Sequence, residues 1–532
     1  MRTLFILVTL LCVLLVPLSV RLYQARQQRL AVQSIRANYA HVVYDYQWAV
    51  DPNVDSSDPT DYFFLRSLLG NDFFDSVVYV SIENPTVTDI SQLAHLQSLD
   101  SLKITFFSEK SYTAKHMAVL SKLNCPLTVQ IIGQFIDDLT PIQQLNNIRE
   151  LQLHDTQVKD ISALSNLSSL KSLKLPYTQV TDLSPLADLT QLEELKIDGS
   201  NFTDLTPLSK LINLRKLSLD TKSKDLSPLS ALTQLEVLYL VGSNVTDLTP
   251  LAKLINLRIL HLEAPKANDL PLLDNLVNLD LFIADGPNFT DLTPLAKQIN
   301  LRKLVLDTSK AKDLTPLENL VNLEDLHLVG ANVTDLTPLG KLVNLQDLWL
   351  NTPKAKDLSP LENLVNLEEL HLEGPDITDL TPLAKLINLQ TLRLNTPKAT
   401  ELPLLDNLVN LEDLHMVGSN VTDLTPLAKL INLRILWLNT PKAKDLSPLE
   451  NLANLEGLQI EAQNLTDLTP LAKIINLRNL TLCSLKAKDL SPMFKLSKLK
   501  SLSLPGMQIT KAEINKFKNA LPNCNVMVRA SD

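Results

Sequence analysis

Leucines recur along this chain at a fixed spacing. From Ile148 onward the pattern L-x-x-L-x-L returns every 22 residues, apart from one step of 21 residues between Leu214 and Leu235. Chance does not maintain such register over about seventeen units, so the pattern indicates an internal repeat. Repeats of this length stack on their neighbours and build one continuous core. Residues 147–504 are therefore predicted to form a regular solenoid.

Each unit predicts a strand and a helical turn. In residues 214–219, Leu217 and Leu219 alternate with outward-facing residues, as a short parallel strand requires. The preceding Asp204-Leu-Thr-Pro-Leu string places a capping residue before a first-turn proline, which favours a helical turn. The predicted fold class is an α/β solenoid of about 20 units. Its concave face carries the parallel sheet, and its convex face carries short 3-10 or α turns.

The two ends of the array depart from the period. Residues 63–146 are predicted to form an irregular cap and the first repeats, and they contain three strand-like starts: Val77, Leu99 and Leu127. Residues 505–532 contain Thr510 and Glu513, which are spaced as a capping box. Apolar residues follow on one helical face, so we expect a cap helix over the carboxyl end of the core.

The amino terminus predicts a membrane anchor. Residues 4–20 are almost wholly apolar and just long enough to cross a bilayer as a helix, so we expect a transmembrane signal-anchor after the flank 1–3. A cleaved signal peptide is the competing interpretation. Residues 21–62 are predicted to be a juxtamembrane segment. Arginines on both sides of the span favour opposite orientations, so the side occupied by the array stays open.

Two stretches resemble known families. The DLTPLAKLxNL form with its 22-residue period resembles the repeats of bacterial internalins and of phosphatase-regulator leucine-rich-repeat proteins. This resemblance implies a leucine-rich-repeat fold that holds a partner, without specifying the ligand. The strings RTLFILVTLLCVLL and ARQQRLAVQSIRANYAHVVYDYQ resemble the amino-terminal segment of membrane-anchored leucine-rich-repeat proteins of planctomycete-type bacteria.

The fifth position of each strand motif points away from the core, and these positions together form what we call the central column. Four of the eight histidines and two of the three tryptophans fall on it. Exposed Trp, Tyr and Arg on a rigid surface are typical of binding hot spots. Copying of a ladder by duplication is the alternative explanation. The column residues predicted to bind a partner are Tyr239, His261, His327, Trp349, His371, Arg393, His415 and Trp437.

Carboxylates occupy the third strand position beside these residues. We call this row the acidic column: Asp325, Asp347, Glu369 and Asp413. It favours a cationic ligand such as a basic peptide segment. It should also favour the charged forms of His327, His371 and His415, which predicts pH-sensitive binding. We call one repeat unit with its strand a rung. No metal site is predicted, because these histidines lie two rungs apart, which is too far for them to coordinate the same ion.

Composition narrows the class of protein. A net charge of -10 argues against nucleic acid, and four cysteines without paired spacing predict neither a disulfide framework nor a zinc site. With 11 glycines and no phosphate-loop or catalytic motif in 532 residues, the chain is predicted to be no enzyme, with no cofactor and no small-molecule substrate.

The sequence therefore predicts a non-catalytic protein-binding scaffold of the bacterial cell envelope, with a protein or peptide bound on the concave face. One alternative is a cytoplasm-facing regulatory subunit that docks an enzyme. Another is binding of an anionic polysaccharide or lipid surface through a lysine stripe. The stripe consists of five pairs: Lys222 with Lys224, Lys310 with Lys312, Lys354 with Lys356, Lys442 with Lys444, and Lys486 with Lys488.

Overall fold

The structure is a computed structural model. The chain folds into two compact units, residues 1–245 and 246–532. It describes residues 2–37, 40–48, 66, 70–83, 89–107, 112–134, 136–177, 179–198, 202–286, 288–307, 309–330, 332–403, 405–418, 420–483 and 486–528. Within α1, defined below, the side chains of residues 2–11 and 14 lie outside this description.

The described residues of the first unit hold nine strands: β1 His41–Tyr44, β2 Val77–Ile82, β3 Ser101–Phe106, β4 Leu127–Ile132, β5 Ile148–His154, β6 Ser172–Leu175, β7 Glu194–Ile197, β8 Lys216–Thr221 and β9 Val237–Gly242. From β2 to β9 each strand pairs in parallel with the next along the chain. The predicted starts at Val77 and Leu127 are confirmed, and the strand predicted at Leu99 begins two residues later.

The described residues of the second unit hold thirteen strands: β10 Ile259–Glu263, β11 Leu281–Asp285, β12 Lys303–Asp307, β13 Asp325–Val329, β14 Asp347–Asn351, β15 Glu369–Glu373, β16 Thr391–Asn395, β17 Asp413–Val417, β18 Ile435–Asn439, β19 Gly457–Glu461, β20 Asn479–Cys483, β21 Ser501–Ser503 and β22 Asn525–Met527. Consecutive strands are parallel, and up to β21 their register joins residues 22 apart, as His327 with Trp349. The predicted repeat solenoid is confirmed.

Helices connect these strands. The described α-helices are α1 Arg2–Ala37, α2 Asp45–Trp48, α3 Asn71–Phe74, α4 Ala114–Leu120 and α5 Lys511–Ala520. The turns predicted between strands are 3-10 helices, at Ser91–His95, Thr140–Ile142, Ser162–Asn166, Ser184–Leu186, Thr206–Lys210, Ser227–Ala231, Thr249–Lys253, Thr293–Leu295, Thr315–Leu317, Thr337–Lys341, Ser359–Asn363, Thr381–Lys385, Thr425–Leu427, Ser447–Asn451, Thr469–Lys473 and Ser491–Lys495. Most of them carry proline in the first turn, as predicted.

Each rung buries leucines from its strand and from its turn. In β15, Leu370 and Leu372 are buried while His371 between them faces outward. Leu383 from the following 3-10 helix is buried as well. Removal of this apolar surface from water is the main driving force for stacking, because it contributes roughly 25 cal/mol per Å².

Aspartate and asparagine side chains form hydrogen bonds with backbone groups of the turns. The Asp204 carboxylate accepts the backbone N–H of Thr206 at 2.8 Å, one residue before the N-cap position, so its predicted capping role holds from a neighbouring position. The side-chain amide of Asn388 donates to the carbonyl of Val365 on the preceding rung at 2.9 Å. Asparagine therefore satisfies a backbone group, as predicted, and it also ties one rung to the next.

The carboxyl-terminal half of α1 packs on the amino-terminal rungs. Ala31, Val32 and Ile35 are buried there, and the Gln28 amide donates to the carbonyl of Asp75 at 2.8 Å. Strand β1 runs antiparallel to β2 and covers its outer edge. The membrane span predicted for residues 4–20 falls largely on side chains outside those described. Among the helices of the described residues, none combines the length and apolar character that crossing a bilayer requires.

A helix and a strand cover the carboxyl end of the second unit. The Thr510 hydroxyl accepts the N–H of Glu513 at 3.2 Å, as the predicted capping box requires, and α5 buries Phe517. Strand β22, which the repeat pattern did not predict, pairs with β21 and protects that edge of the sheet.

The stacked core makes a direct prediction about stability. Leu370→Ala removes a side chain that is 0% exposed, so we expect it to lower the free energy of unfolding by about 2–5 kcal/mol. Val365→Ala is the control, because that side chain is 42% exposed and its loss should change stability by less than about 0.5 kcal/mol. Denaturant titration measures both, and equal effects of the two changes would contradict the assignment of the core.

Candidate functional site

The central column is outward-facing, as predicted. Tyr239 lies on β9 of the first unit, and the other predicted column residues lie on strands of the second unit. Trp349 and Trp437 are 38% and 36% exposed, which is high for side chains this large. The structure therefore places the predicted residues at the surface, where a ligand can reach them.

Adjacent rungs bring rings of the column into contact. The ring centroids of His327 and Trp349 are 5.4 Å apart, and those of Trp349 and His371 are 5.0 Å apart. A second pair, His415 and Trp437, has a centroid distance of 5.2 Å. These tilted contacts hold the tryptophans in place, so little side-chain freedom remains to be lost when a ligand binds.

The acidic column is partly neutralised by neighbouring bases. Lys303 forms an ion pair with Asp325, and Arg393 approaches Asp413 at 3.7 Å. Glu369, in contrast, is exposed, and Asp347 contacts only the imidazole of His327 among the described ion pairs. The negative charge available to a ligand is therefore concentrated around Asp347 and Glu369, on either side of Trp349 and His371.

His327 lies between two carboxylates. Its Nε2 is 3.0 Å from Asp325 Oδ1 and 3.4 Å from Asp347 Oδ2. Contact with Asp325, followed by that with Asp347, raises the pKa of His327 to about 9. The predicted preference for the charged form is confirmed for this residue. However, a group with this pKa stays cationic from pH 5 to 8, so it supplies no pH sensitivity in that interval.

The pKa of His371 shifts in the direction opposite to the predicted one. Burial, together with the positive charge of Arg393 on the next rung, lowers its pKa below 6.5 despite the nearby carboxylates Asp347 and Glu369. The expected stabilisation of the imidazolium was therefore wrong for His371. The two remaining column histidines contact carboxylates directly: His415 lies 2.8 Å from Asp413, and His261 lies 3.5 Å from Glu263.

A hollow opens beside Trp437. It has a volume of about 560 Å³ and is lined by Asp413, Ile435, Trp437 and Gly457, among others. Ile435 is 46% exposed, and a Cβ added to Gly457 would meet only Ile435, at 3.8 Å. The absence of a side chain at Gly457 therefore leaves room for an apolar group of a ligand next to the Trp437 ring.

Sequence reasoning missed two features of the second unit. One is the convergence of Asp325, His327 and Asp347, which the 22-residue register already implied. The other is a stripe of exposed apolar side chains, each directly before the asparagine that occupies the position of Asn388 in its own rung. It consists of Ile255, Val277, Ile299, Val321, Val343, Val365, Ile387, Val409, Ile431 and Ile475.

The lysine stripe is partly engaged within the protein. Lys310 donates to the side-chain oxygen of Asn288 at 2.7 Å, and Lys486 donates to that of Asn464 at 3.2 Å. In these two pairs, therefore, one lysine bridges to the preceding rung.

Comparison with known proteins finds no matching family model and no matching curated protein. Among solved structures, an internalin (inlF) from Listeria monocytogenes is 23% identical over 73% of this chain and 88% of that chain, with a TM-score of 0.34. A TDR receptor is 16% identical over 79% and 88% of the two chains, with a TM-score of 0.51. A TLR13 complex with ssRNA13 is 19% identical over 85% and 65%, with a TM-score of 0.45.

These neighbours concern the fold alone. The parallel strands in a 22-residue register, joined by 3-10 turns, show that the chain has a leucine-rich-repeat fold. The resemblance of the amino-terminal segment to planctomycete-type proteins and the exclusion of nucleic acid stay predictions.

The two histidines on either side of Trp349 should titrate far apart. In metal-free protein we expect the pKa of His327 near 9 and that of His371 below 6.5, as followed by the imidazole carbon protons in NMR spectra. Asp325→Asn should lower the pKa of His327 by about 1 unit or more, because it removes an opposite charge. Asp379→Asn, in a distant turn, is the control. Titration of His327 near 6.5 would contradict the described geometry.

Proposed function

We propose that this protein is a non-catalytic scaffold of the bacterial cell envelope that binds an extended, basic peptide segment of a partner protein along the central column of its second unit. The observation that carries the proposal is the ordered series of Trp349, His371, Arg393, His415 and Trp437, which side-chain contacts hold at the surface. Rigid aromatic residues that remain exposed are typical of binding hot spots.

The ligand chemistry follows from what lies beside these rings. Asp347 and Glu369 offer negative charge next to Trp349, and the hollow at Trp437 offers an apolar recess. Trp349 on β14 and Trp437 on β18 are four rungs apart, or about 19 Å at the usual strand spacing. An extended peptide of about six residues spans that distance, with a basic side chain at one end and an apolar one at the other.

Selection of peptides tests this proposal. A displayed library of random twelve-residue peptides, panned on the full chain, should enrich sequences that pair Lys or Arg with an apolar residue. Trp437→Ala should weaken binding of the selected peptides by about tenfold or more, since an aromatic hot spot contributes roughly 2 kcal/mol. Gly457→Leu should do the same by filling the hollow.

Matched variants separate this surface from its surroundings. Gly457→Ala leaves most of the hollow open, and Val365→Ala alters the apolar stripe away from the column. Both should bind the selected peptides as the wild type does. If a Trp349→Ala, Trp437→Ala double variant kept full affinity, the central column would not be the surface that binds the peptides.

Binding should also depend on pH in a defined direction. His371 faces Arg393, Asp347, Glu369 and His327, and its pKa is lowered. Protonation of His371 at low pH adds positive charge to the surface, so affinity for a basic peptide should fall as the pH drops from 7 toward 5. His371→Gln should reduce that dependence. Unchanged pH dependence in this variant would contradict the assignment to His371.

The compartment is tested separately. We propose that residues 4–20 anchor the protein and that the array lies outside the cytoplasm, whereas the alternative regulatory subunit would face the cytoplasm. A cysteine placed at the exposed Lys488, with Cys12 replaced, should react in intact cells with a membrane-impermeant maleimide. Labelling only after cell lysis would favour the cytoplasmic alternative.

A further inference from the structure

Three potential metal ligands converge on two adjacent rungs. Asp325 and His327 lie on β13, and Asp347 lies on β14. His327 Nε2 is 3.0 Å from Asp325 Oδ1 and 3.4 Å from Asp347 Oδ2, and all three ligand atoms lie within 4.8 Å of one another. The side chains are half-buried at the sheet surface, so an ion could reach them from solvent.

These distances suit a small divalent transition metal. Bonds of about 2.0–2.1 Å to nitrogen and oxygen in a tetrahedron place neighbouring ligand atoms about 3.3 Å apart. The contacts of His327 with the two carboxylates lie on either side of that value. We propose that Asp325, His327 and Asp347 form a site for one zinc-class divalent ion, with a fourth position open to water or to a ligand.

The surroundings of Asp325 support this assignment. Its Oδ1 is buried, and His327 Nε2 lies 3.0 Å from it. Its other oxygen is held by Lys303, which orients the carboxylate and leaves Oδ1 directed at His327. Such outer partners fix the first ligands of many metal sites. An imidazole ligand favours Zn²⁺ and its neighbours over Ca²⁺ or Mg²⁺, which prefer oxygen.

Two other histidines of the central column can be compared with His327. His371 and His415 occupy the same column position as His327, and each has a carboxylate two residues earlier, Glu369 and Asp413. The next rung, however, offers Thr391 to the first and Ile435 to the second where His327 meets Asp347. Among these three described rungs, therefore, a third ligand is present only at His327.

This site goes beyond the proposed peptide binding and does not depend on it. The carboxylates that hold a proton on the His327 imidazole would hold a metal ion in its place, so proton and ion compete. Because the open position lies beside Trp349, a bound ion would add a Lewis-acidic contact point to the central column.

Zinc titration of the chelator-treated full chain tests the site. By isothermal calorimetry with ZnCl₂ at pH 7.5, we expect one saturable equivalent. Asp347→Asn and Asp325→Asn should each weaken it by about tenfold or more, since even the loss of an outer partner weakens a metal site by that factor. Glu369→Gln, which alters the carboxylate of the neighbouring rung, is the matched control and should leave the affinity unchanged. Circular dichroism verifies that every variant is folded.

A variant that gains a second zinc site provides a test that misfolding cannot mimic, because misfolding would lower zinc binding and not raise it. Ile435 is an exposed residue, and Ile435→Asp supplies the missing carboxylate beside Asp413 and His415. The stoichiometry should then rise from one to two zinc ions per chain. Absence of saturable zinc binding by the wild type, or equal affinity in wild type, Asp325→Asn and Asp347→Asn, would overturn the proposal. A count that stays at one in Ile435→Asp would contradict its geometric basis.

Discussion

Equal rung length is the constraint on which the rest of the structure depends. Each rung buries its strand and turn leucines against the next, and this packing requires equivalent residues of neighbouring rungs to pair, which in the second unit joins residue n to residue n+22 up to β21. A slip by one residue would turn the buried side chains outward, so burial of Leu370 and Leu372 fixes the register. Once the register is fixed, equivalent outward positions of successive rungs form a column, and side chains 22 residues apart in the sequence become neighbours.

A histidine recurs on every second rung from β13 to β17, yet the three histidines lie in different surroundings. His327 has carboxylates on two sides, His371 has an arginine on the next rung, and His415 has Trp437 on the next rung while Ile435 lies opposite its neighbour Asp413. The chemistry of each histidine is decided by one or two neighbouring residues that differ from rung to rung, while the backbone arrangement is the same. A repeated residue on a solenoid is therefore best interpreted one rung at a time.

Periodic features could be predicted from the sequence because their contacts repeat: the strands, the 3-10 turns, the capping aspartates and the outward column. Non-periodic features could not, and β1, β22 and the packing of Gln28 in α1 depend on contacts made once. The lowered pKa of His371 depends on its depth of burial, which spacing does not give. The grouping around His327 does not follow from the spacing of the histidines, because it depends on which residue the next rung places opposite Asp325.

In the second unit, the outward column is formed by strands that pair in parallel, one rung after the next. Spin labels at Val305→Cys and Arg393→Cys, four rungs apart on β12 and β16, measure this directly by double electron–electron resonance in a chain whose reactive native cysteines are replaced. Four rungs at the usual spacing of parallel strands give one expected distance population at about 20 Å. A broad distribution without a peak at that distance would contradict it.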